Sequence, residues 1–161
     1  MKKPKHAPAA RGRALLLVMI VAAAMALGAC SFSTTMSYTF TVSTGDEIKV
    51  SLDTTDGYWL AEEDSTFSVE KDDEVVLQGI FLNEEMYNEY MDRAKSGDIT
   101  VISEGSQGDN PYFYYQAEVS SGTTNQILLW INDSQTGIML ASLSPREDVE
   151  PAFERLSFSK E

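Results

Sequence analysis

The side chains best suited to act as nucleophile, general base or soft metal ligand are scarce in this chain. Its one histidine is His6 and its one cysteine is Cys30. Residues 31–161 therefore have no imidazole and no thiol, which excludes a Ser-His-Asp triad and a Cys-His pair there. The usual zinc and copper ligands are missing for the same reason. We predict no catalytic residue, no metal and no cofactor; paired carboxylates or a Ser-Lys pair remain the alternatives for catalysis.

Carboxylates, by contrast, are abundant and occur in three clusters: Glu62-Glu63-Asp64, Asp72-Asp73-Glu74 and Glu84-Glu85. Calcium binds several carboxylate and carbonyl oxygens at once. However, no Asp-x-Asp-x-Asp-Gly loop occurs, and the segment 53–57 has the wrong spacing. We interpret the clusters as a solvated acidic surface, with a weak calcium site as the alternative.

The densest aromatic run is Tyr112-Phe113-Tyr114-Tyr115. On a β-strand, Tyr112 and Tyr114 would share one face and Phe113 and Tyr115 the other. Aromatic rings beside carboxylates can stack on sugar rings and accept hydrogen bonds from their hydroxyl groups. Tyr112 and Tyr114 are therefore candidate ligand-binding residues, with a flexible loop at 104–110 as the predicted rim. The alternative is a strand buried between sheet and helix.

A second aromatic candidate is the pair Tyr58 and Trp59, in a segment that reads as a polar loop. This pair is a candidate ligand contact. The alternative is a hydrophobic plug that closes one end of the sheet.

The N-terminal segment has the composition of an export signal. Its early charges are all basic, and residues 14–29 carry no charge; the basic residues are Lys2, Lys3, Lys5, Arg11 and Arg13. An apolar stretch of about 14 to 16 residues is short for a membrane span of roughly 20. The following Leu27-Gly28-Ala29-Cys30 resembles the bacterial lipobox, as found in bacterial lipoproteins. That resemblance implies a signal peptide at 1–29 and a diacylglycerol thioether on Cys30; an uncleaved anchor or an ordinary signal is the alternative.

Lipidation at Cys30 would decide where the protein resides. Two acyl chains anchor a protein stably, at about 0.8 kcal/mol per buried methylene. The lipidated cysteine and tether at 30–37 would be short, because the seven residues after Cys30 reach at most roughly 25 Å. We expect a domain at 38–161 close to the cell membrane and facing outward, in an extracellular or periplasmic location.

The charge balance restricts the partners of this domain. Without the five basic residues of the signal, seven Lys or Arg remain against 25 Asp or Glu, a formal net charge of −18. Such a surface repels nucleic acid, which we exclude as a partner. It also repels anionic lipid headgroups, so the lipid on Cys30 must supply the membrane attachment.

The apolar pattern predicts a single α+β domain. We expect a largely antiparallel sheet of about six to eight strands, packed with two helices at about 83–95 and 145–156. Ser144-Pro145-Arg146-Glu147 reads as a capping box for the second helix, and Pro151 predicts a kink or a restart within it. Asn83 can cap the first helix, and its apolar stripe should face the core, with a partner-binding face as the alternative. The stripe comprises Met86, Tyr87, Tyr90, Met91 and Ala94.

The strand pattern also indicates which strands are internal. Residues 48–52 read as an early strand. The strands at 74–82 and 127–131 are apolar on both faces, which predicts that they are covered on both sides.

The order of these elements resembles the small exported PsbP-like domains. The elements on which this resemblance rests are a helix after the strand "EVVLQGIFL", an antiparallel meander, and a C-terminal helix ending in "FERLSFSK". The resemblance covers roughly residues 38–160. Where those domains often have a Pro-x-Gly-Trp turn, this chain has Asp56-Gly57-Tyr58-Trp59. The resemblance implies a mostly non-enzymatic role in assembly or ligand binding, and carries over no catalytic residue.

Together these features predict a membrane-anchored lipoprotein that acts as a non-catalytic binding or accessory module at the cell envelope. Its partners would be the membrane, through the lipid on Cys30, and an envelope protein or cell-wall ligand. One alternative is a carboxylate-dependent, glycan-active enzyme, which needs two acids about 5–10 Å apart in a cleft. The other is a structural surface lipoprotein.

Overall fold

Strands dominate the part of the chain that the computed structural model describes, residues 34–161. The strands are β1 (Thr35–Thr41), β2 (Glu47–Asp53), β3 (Tyr58–Glu63), β4 (Thr66–Lys71), β5 (Glu74–Asn83), β6 (Ile99–Gln107), β7 (Asn110–Val119), β8 (Gly122–Trp130), β9 (Thr136–Ser142) and β10 (Leu156–Lys160). The helices are α1 (Glu84–Ser96) and α2 (Arg146–Glu154), with a 3₁₀ turn at Thr55–Gly57. The predicted signal segment 1–29 and Cys30 lie outside the described residues. No helix within 34–161 is long and apolar enough to span a membrane.

All strands pair antiparallel, as the sequence predicts, but they form two sheets and not one. The large sheet has the order β3-β4-β5-β9-β8-β7-β6, and the small sheet has the order β1-β2-β10. The small sheet is separate because β10 pairs with β2, where Phe158 lies opposite Val50, and not with the large sheet. The α+β class is confirmed, and the expectation of a single sheet is wrong.

The main core lies between the small sheet with α2 and the inner face of the large sheet. On β2, alternate residues Ile48, Val50 and Leu52 have no exposed surface. Phe67 on β4 contacts Phe40 of the small sheet with ring centroids 6.0 Å apart, and Phe158 at 6.1 Å. Burial of these apolar side chains holds the two sheets together.

A second core lies on the outer face of the large sheet, under α1. It brings Tyr87, Tyr90, Met91 and Ala94 of α1 against the sheet. These residues follow the predicted stripe, at spacings of three and four. Met86 does not belong to it: it is 41% exposed, because at about 100° per residue it lies outside the arc that these four side chains cover.

Two strands predicted to be covered on both faces lie inside the large sheet. In β8, Ile127 and Leu129 join the main core while Leu128 joins the second core. In β5, Leu77 joins the main core and Leu82 the second. Both strands have neighbours on each side, which confirms their predicted internal position.

Two segments predicted to be loops are strands. Tyr58 and Trp59 begin β3, and β6 continues through Gln107, leaving only Gly108 and Asp109 as a turn before β7. Both β3 and β6 are edge strands of the large sheet. Edge strands face water over much of their surface and tolerate polar residues, so their hydrophobic alternation is weak.

The two helices differ in how well sequence signals mark them. Asn83 caps α1 as predicted, by accepting a hydrogen bond from the Met86 backbone N–H at 2.9 Å. The capping box predicted at Ser144 is wrong: the N-cap of α2 is Pro145, without a side-chain cap. Pro151 lies inside α2, and the helix ends at Glu154 because β10 begins at Leu156.

Candidate functional site

The clearest candidate site is an open pocket between the β6–β7 hairpin and α2, here called the Tyr112 pocket. It has a volume of about 380 Å³. Its lining residues are Ser103, Ser106, Gln107, Gly108, Tyr112, Tyr114, Glu150, Phe153 and Glu154. Aromatic side chains come from the sheet and from the helix, while the two carboxylates come from the helix alone.

The aromatic wall of this pocket forms where β7 meets α2. The Tyr112 ring packs edge-on against Phe153, with centroids 5.1 Å apart. Tyr112 lies opposite Gly105 on β6, and a Cβ at Gly105 would lie only 3.1–3.2 Å from the Tyr112 hydroxyl and ring. A side chain at position 105 would therefore press on the ring, so glycine suits this position in the strand.

Two amides fix the hairpin to neighbouring elements. Gln107 Nε2 donates to the carbonyl oxygen of Phe153 at 2.6 Å. Asn110 Nδ2 donates to the carbonyl oxygen of Phe158 at 2.8 Å, while its Oδ1 accepts from the Asn132 backbone N–H at 2.8 Å. The segment predicted to be a flexible rim is therefore a hairpin tied to α2 and β10.

Tyr114 lies deeper than Tyr112 and is 2% exposed. Its hydroxyl donates to Asn125 Oδ1 at 2.7 Å, and Asn125 Nδ2 donates to the carbonyl oxygen of Ser144 at 2.8 Å. Burial raises the pKa of Tyr114 to about 12. Because its hydroxyl is already bonded, Tyr114 supports the floor of the pocket, and Tyr112 presents the accessible ring.

The carboxylates of the pocket lie along one face of α2. Arg146, Glu150 and Glu154 are spaced four residues apart, so their side chains are neighbours on the helix surface. Arg146 pairs with Glu150, with 2.6 Å between Nη2 and Oε1. Glu154 has the like charge of Glu150 as its neighbour one turn away.

The pair Tyr58 and Trp59 lies at a second site, the Trp59 pocket, which has a volume of about 490 Å³. Its lining residues are Gly57, Tyr58, Trp59, Glu70, Asp72 and Asp73. The Tyr58 ring is buried and has two cations near it: Lys71 Nζ at 5.1 Å and Arg155 Cζ at 4.7 Å from its centroid. Trp59 points the other way and is 53% exposed.

The four candidate aromatics thus form two separate pairs. The two pockets share no lining residue. The end of α2 and the residue after it lie between them, because Phe153 contacts Tyr112 while Arg155 contacts Tyr58. Tyr58 is occupied by its own cations, so Tyr112 and Trp59 are the two rings that a ligand could reach.

The acidic clusters occupy turns and a helix start. Asp64, Asp72 and Asp73 have positive φ in the β3–β4 and β4–β5 turns, and Glu84 and Glu85 begin α1. Within residues 34–161, no three acidic or histidine side chains come together as a metal-binding group. The calcium alternative gains no support from the described part of the chain.

One buried carboxylate was not singled out by the sequence. Asp46 is 6% exposed and accepts hydrogen bonds from the Gln135 backbone N–H at 2.7 Å and from Thr136 Oγ1 at 2.9 Å. Lys160 Nζ lies 2.6 Å from its other oxygen. The Lys160 hydrogen bond, followed by that from Gln135, lowers the pKa of Asp46 to about 2. This network joins the β1–β2 turn, the turn before β9, and β10.

Sequence reasoning also missed Glu150, Phe153 and Glu154 as site residues. A signal exists in the sequence, because Glu150 and Glu154 are four apart and must share a helix face. The sequence does not indicate that this helix face packs beside Tyr112.

No protein-family model matches this chain, and no curated protein matches it. The interpretation of the site therefore depends on its geometry.

Proposed function

We propose that this chain is an exported bacterial lipoprotein, held at the outer face of the membrane by lipid on Cys30, whose domain is a non-catalytic binding module. The N-terminal pattern of basic, apolar and small residues before Cys30 supports the anchor. The link between Cys30 and β1, which begins at Thr35, is short. A domain so attached works within a few nanometres of the membrane surface.

The Tyr112 pocket is the structural feature that supports the proposed binding function. An accessible Tyr112 ring next to Phe153 offers an apolar surface of about one sugar or aromatic ring. Glu150 and Glu154 offer hydrogen-bond acceptors at its border. An apolar wall with a few polar groups beside it is the usual character of a small-ligand site. The ligand we propose is small, has one flat face and carries hydrogen-bond donors, as cell-wall fragments do.

We also propose kinship with the PsbP-like domains. Support comes from the order of elements, in which α1 follows β5, β6 to β9 form a meander, and α2 precedes the last strand. Members of that group act mostly in assembly or ligand binding, in agreement with a binding role. A crystal structure of the domain, superposed on a PsbP-like protein, tests this kinship: a different strand order in the matched region would contradict it.

Membrane anchoring is tested by expressing the full chain in a bacterium and analysing the membrane fraction. We expect a mature product that begins at Cys30, with the mass increase of a diacylglyceryl group in its mass spectrum. Cys30→Ser should leave the signal segment uncleaved. A wild-type product without lipid would contradict the proposed anchor and leave the pocket to be judged separately.

Binding is tested by thermal unfolding of the full chain in detergent micelles with calcium, cell-wall sugars, muropeptides and amino acids. A ligand at about 100 times its dissociation constant stabilises by roughly 2.7 kcal/mol, which is several degrees at this size. Tyr112→Ala should abolish the shift. Tyr38→Ala, a partly buried tyrosine on β1, is the matched control. Cleavage of an added oligosaccharide would instead favour the enzyme alternative.

A further inference from the structure

We infer that the Tyr112 pocket selects ligands bearing an organic ammonium group attached to a flat ring. This inference rests on the proposed binding function and narrows it from small ligands in general to cationic ones. An amino sugar or an arylalkylamine such as tyramine would satisfy it. Neutral sugars and carboxylates of the same size should bind less tightly.

The charges of the pocket lining have one sign. Glu150 and Glu154 are its only ionisable residues other than the tyrosines, and no Lys or Arg lines it. Arg146 pairs with one oxygen of Glu150 from the previous helical turn. Glu154 has no Lys or Arg within ion-pair distance among the described residues. An ammonium beside Glu154 would remove its repulsion with Glu150 and gain an ion pair.

The aromatic wall adds a second attraction for cations. The face of a tyrosine ring carries partial negative charge and attracts ammonium groups within about 6 Å of its centroid. The fold already uses this contact at Tyr58, where Lys71 and Arg155 both approach the ring. At Tyr112, by contrast, no Lys or Arg lies over the ring among the described residues, and the ring lines the pocket.

A third feature concerns an unused acceptor. Gln107 lines the pocket, and its Nε2 is fixed by the Phe153 carbonyl oxygen. Its Oε1 is shielded from solvent and has no hydrogen-bond partner among the described residues. A buried acceptor without a partner is unfavourable. An ammonium has only donor hydrogens and therefore matches an acceptor of this kind.

The experiment compares two matched pairs of ligands by calorimetric titration of the full chain in non-ionic detergent. The pairs are tyramine with tyrosol and glucosamine with glucose; within each pair, an ammonium replaces a hydroxyl group. In at least one pair we expect the ammonium compound to bind about tenfold more tightly at low salt. The difference should shrink at 1 M salt, where the screening length is about 3 Å.

Three variants test which residues cause the preference for the ammonium compounds. Glu154→Gln should remove most of the tenfold difference, because it weakens binding of the ammonium compound much more than binding of the neutral compound. Glu147→Gln is the matched control, because it makes the same charge change in an exposed residue of the same helix, outside the pocket lining. Tyr112→Ala should weaken both members of the binding pair.

The outcomes separate the two proposals. Equal affinity within both pairs, with loss in Tyr112→Ala, would overturn the ammonium preference and retain a binding pocket. An ammonium preference that Glu147→Gln reduces as much as Glu154→Gln would show attraction to the general acidic surface and overturn this assignment. No binding by any of the four compounds at millimolar concentration would count against both proposals.

Discussion

Two acidic regions of this molecule differ in how fully their carboxylates are bonded. Asp46 is buried, and hydrogen-bond donors from three parts of the chain surround it. In the Tyr112 pocket, Glu150 has one partner on its own helix, and Glu154 borders open volume. The first carboxylate is saturated by the fold, whereas the second pair retains bonding capacity that only a ligand or solvent can use.

This difference separates a structural acid from a binding acid in a chain full of both. Asp46 is buried, and it is the one carboxylate among residues 34–161 whose pKa is strongly shifted. Yet every strong donor it needs comes from the protein, so little capacity remains for a ligand. A perturbed pKa marks a site only when the group is also accessible.

Replacing Asp46 should give the largest effect on stability. Asp46→Asn removes the charge that Lys160 pairs with and weakens the bonds to Gln135 and Thr136. We expect a loss of about 2 kcal/mol in the free energy of unfolding, since hydrogen bonds to a charged group contribute roughly 1.5–3 kcal/mol. Urea unfolding at pH 7 measures it. A change no larger in magnitude than that of Glu154→Gln would contradict the contrast between the two regions.

The stabilisation that the Asp46 carboxylate provides should disappear in acid. The pKa of Asp46 is lowered from 3.8 to about 2 in the folded state, so its stabilisation is complete above about pH 5 and is lost as the pH falls through 2. The difference in unfolding free energy between wild type and Asp46→Asn should therefore shrink from about 2 kcal/mol at pH 6 to a small remainder near pH 2. Urea titrations across this range measure it; a constant difference would refute the proposed cause.

A substitution of Tyr114, at the floor of the Tyr112 pocket, should have an intermediate effect on stability. Tyr114→Phe removes the hydroxyl that bonds Asn125, with an expected loss of about 1 kcal/mol. Tyr112→Phe should change stability by less than about 0.5 kcal/mol, the usual range for substitutions away from buried networks. Thermal unfolding of both variants measures these two changes in stability. Equal losses would mean that the Tyr112 hydroxyl is as structural as that of Tyr114.

Glu154→Gln should have the smallest effect and the opposite sign. It removes the like charge next to Glu150 on α2, which is worth about 0.2–0.5 kcal/mol. The free energy of unfolding should rise slightly at low salt and not at high salt. A clear loss of stability would show that Glu154 has a structural role and would weaken its assignment to ligand binding.

Much of the fold follows from local patterns. The alternation of Ile48, Val50 and Leu52 and the Asn83 cap of α1 are short-range signals, and both are found as predicted. Where an element depends on long-range packing, the local sequence pattern predicts it wrongly. β3 and the end of β6 read as loops because edge strands carry polar residues, and the division into two sheets depends on β10 returning to β2.

The candidate site was predictable only in part. The separation of Tyr112 and Tyr114 from Phe113 and Tyr115 follows from strand geometry and is confirmed. Which face is open could not be read from the residues, because it depends on where α1 and α2 pack. The docking of α2 beside β7 brings Glu150 next to Tyr112 from 38 positions further along the chain.

The pairing of β10 with β2 also sets the order in which the chain can fold. Residues 156–160 complete a sheet whose other strands lie about a hundred positions earlier. Contacts of such separation slow folding, because a long loop must close before they form. During synthesis from the N-terminus, β2 stays unpaired on one side until nearly the whole domain has emerged. Under the export that we propose, this delay would keep the small sheet incomplete until late in synthesis, because β10 is made after every other strand of residues 34–161.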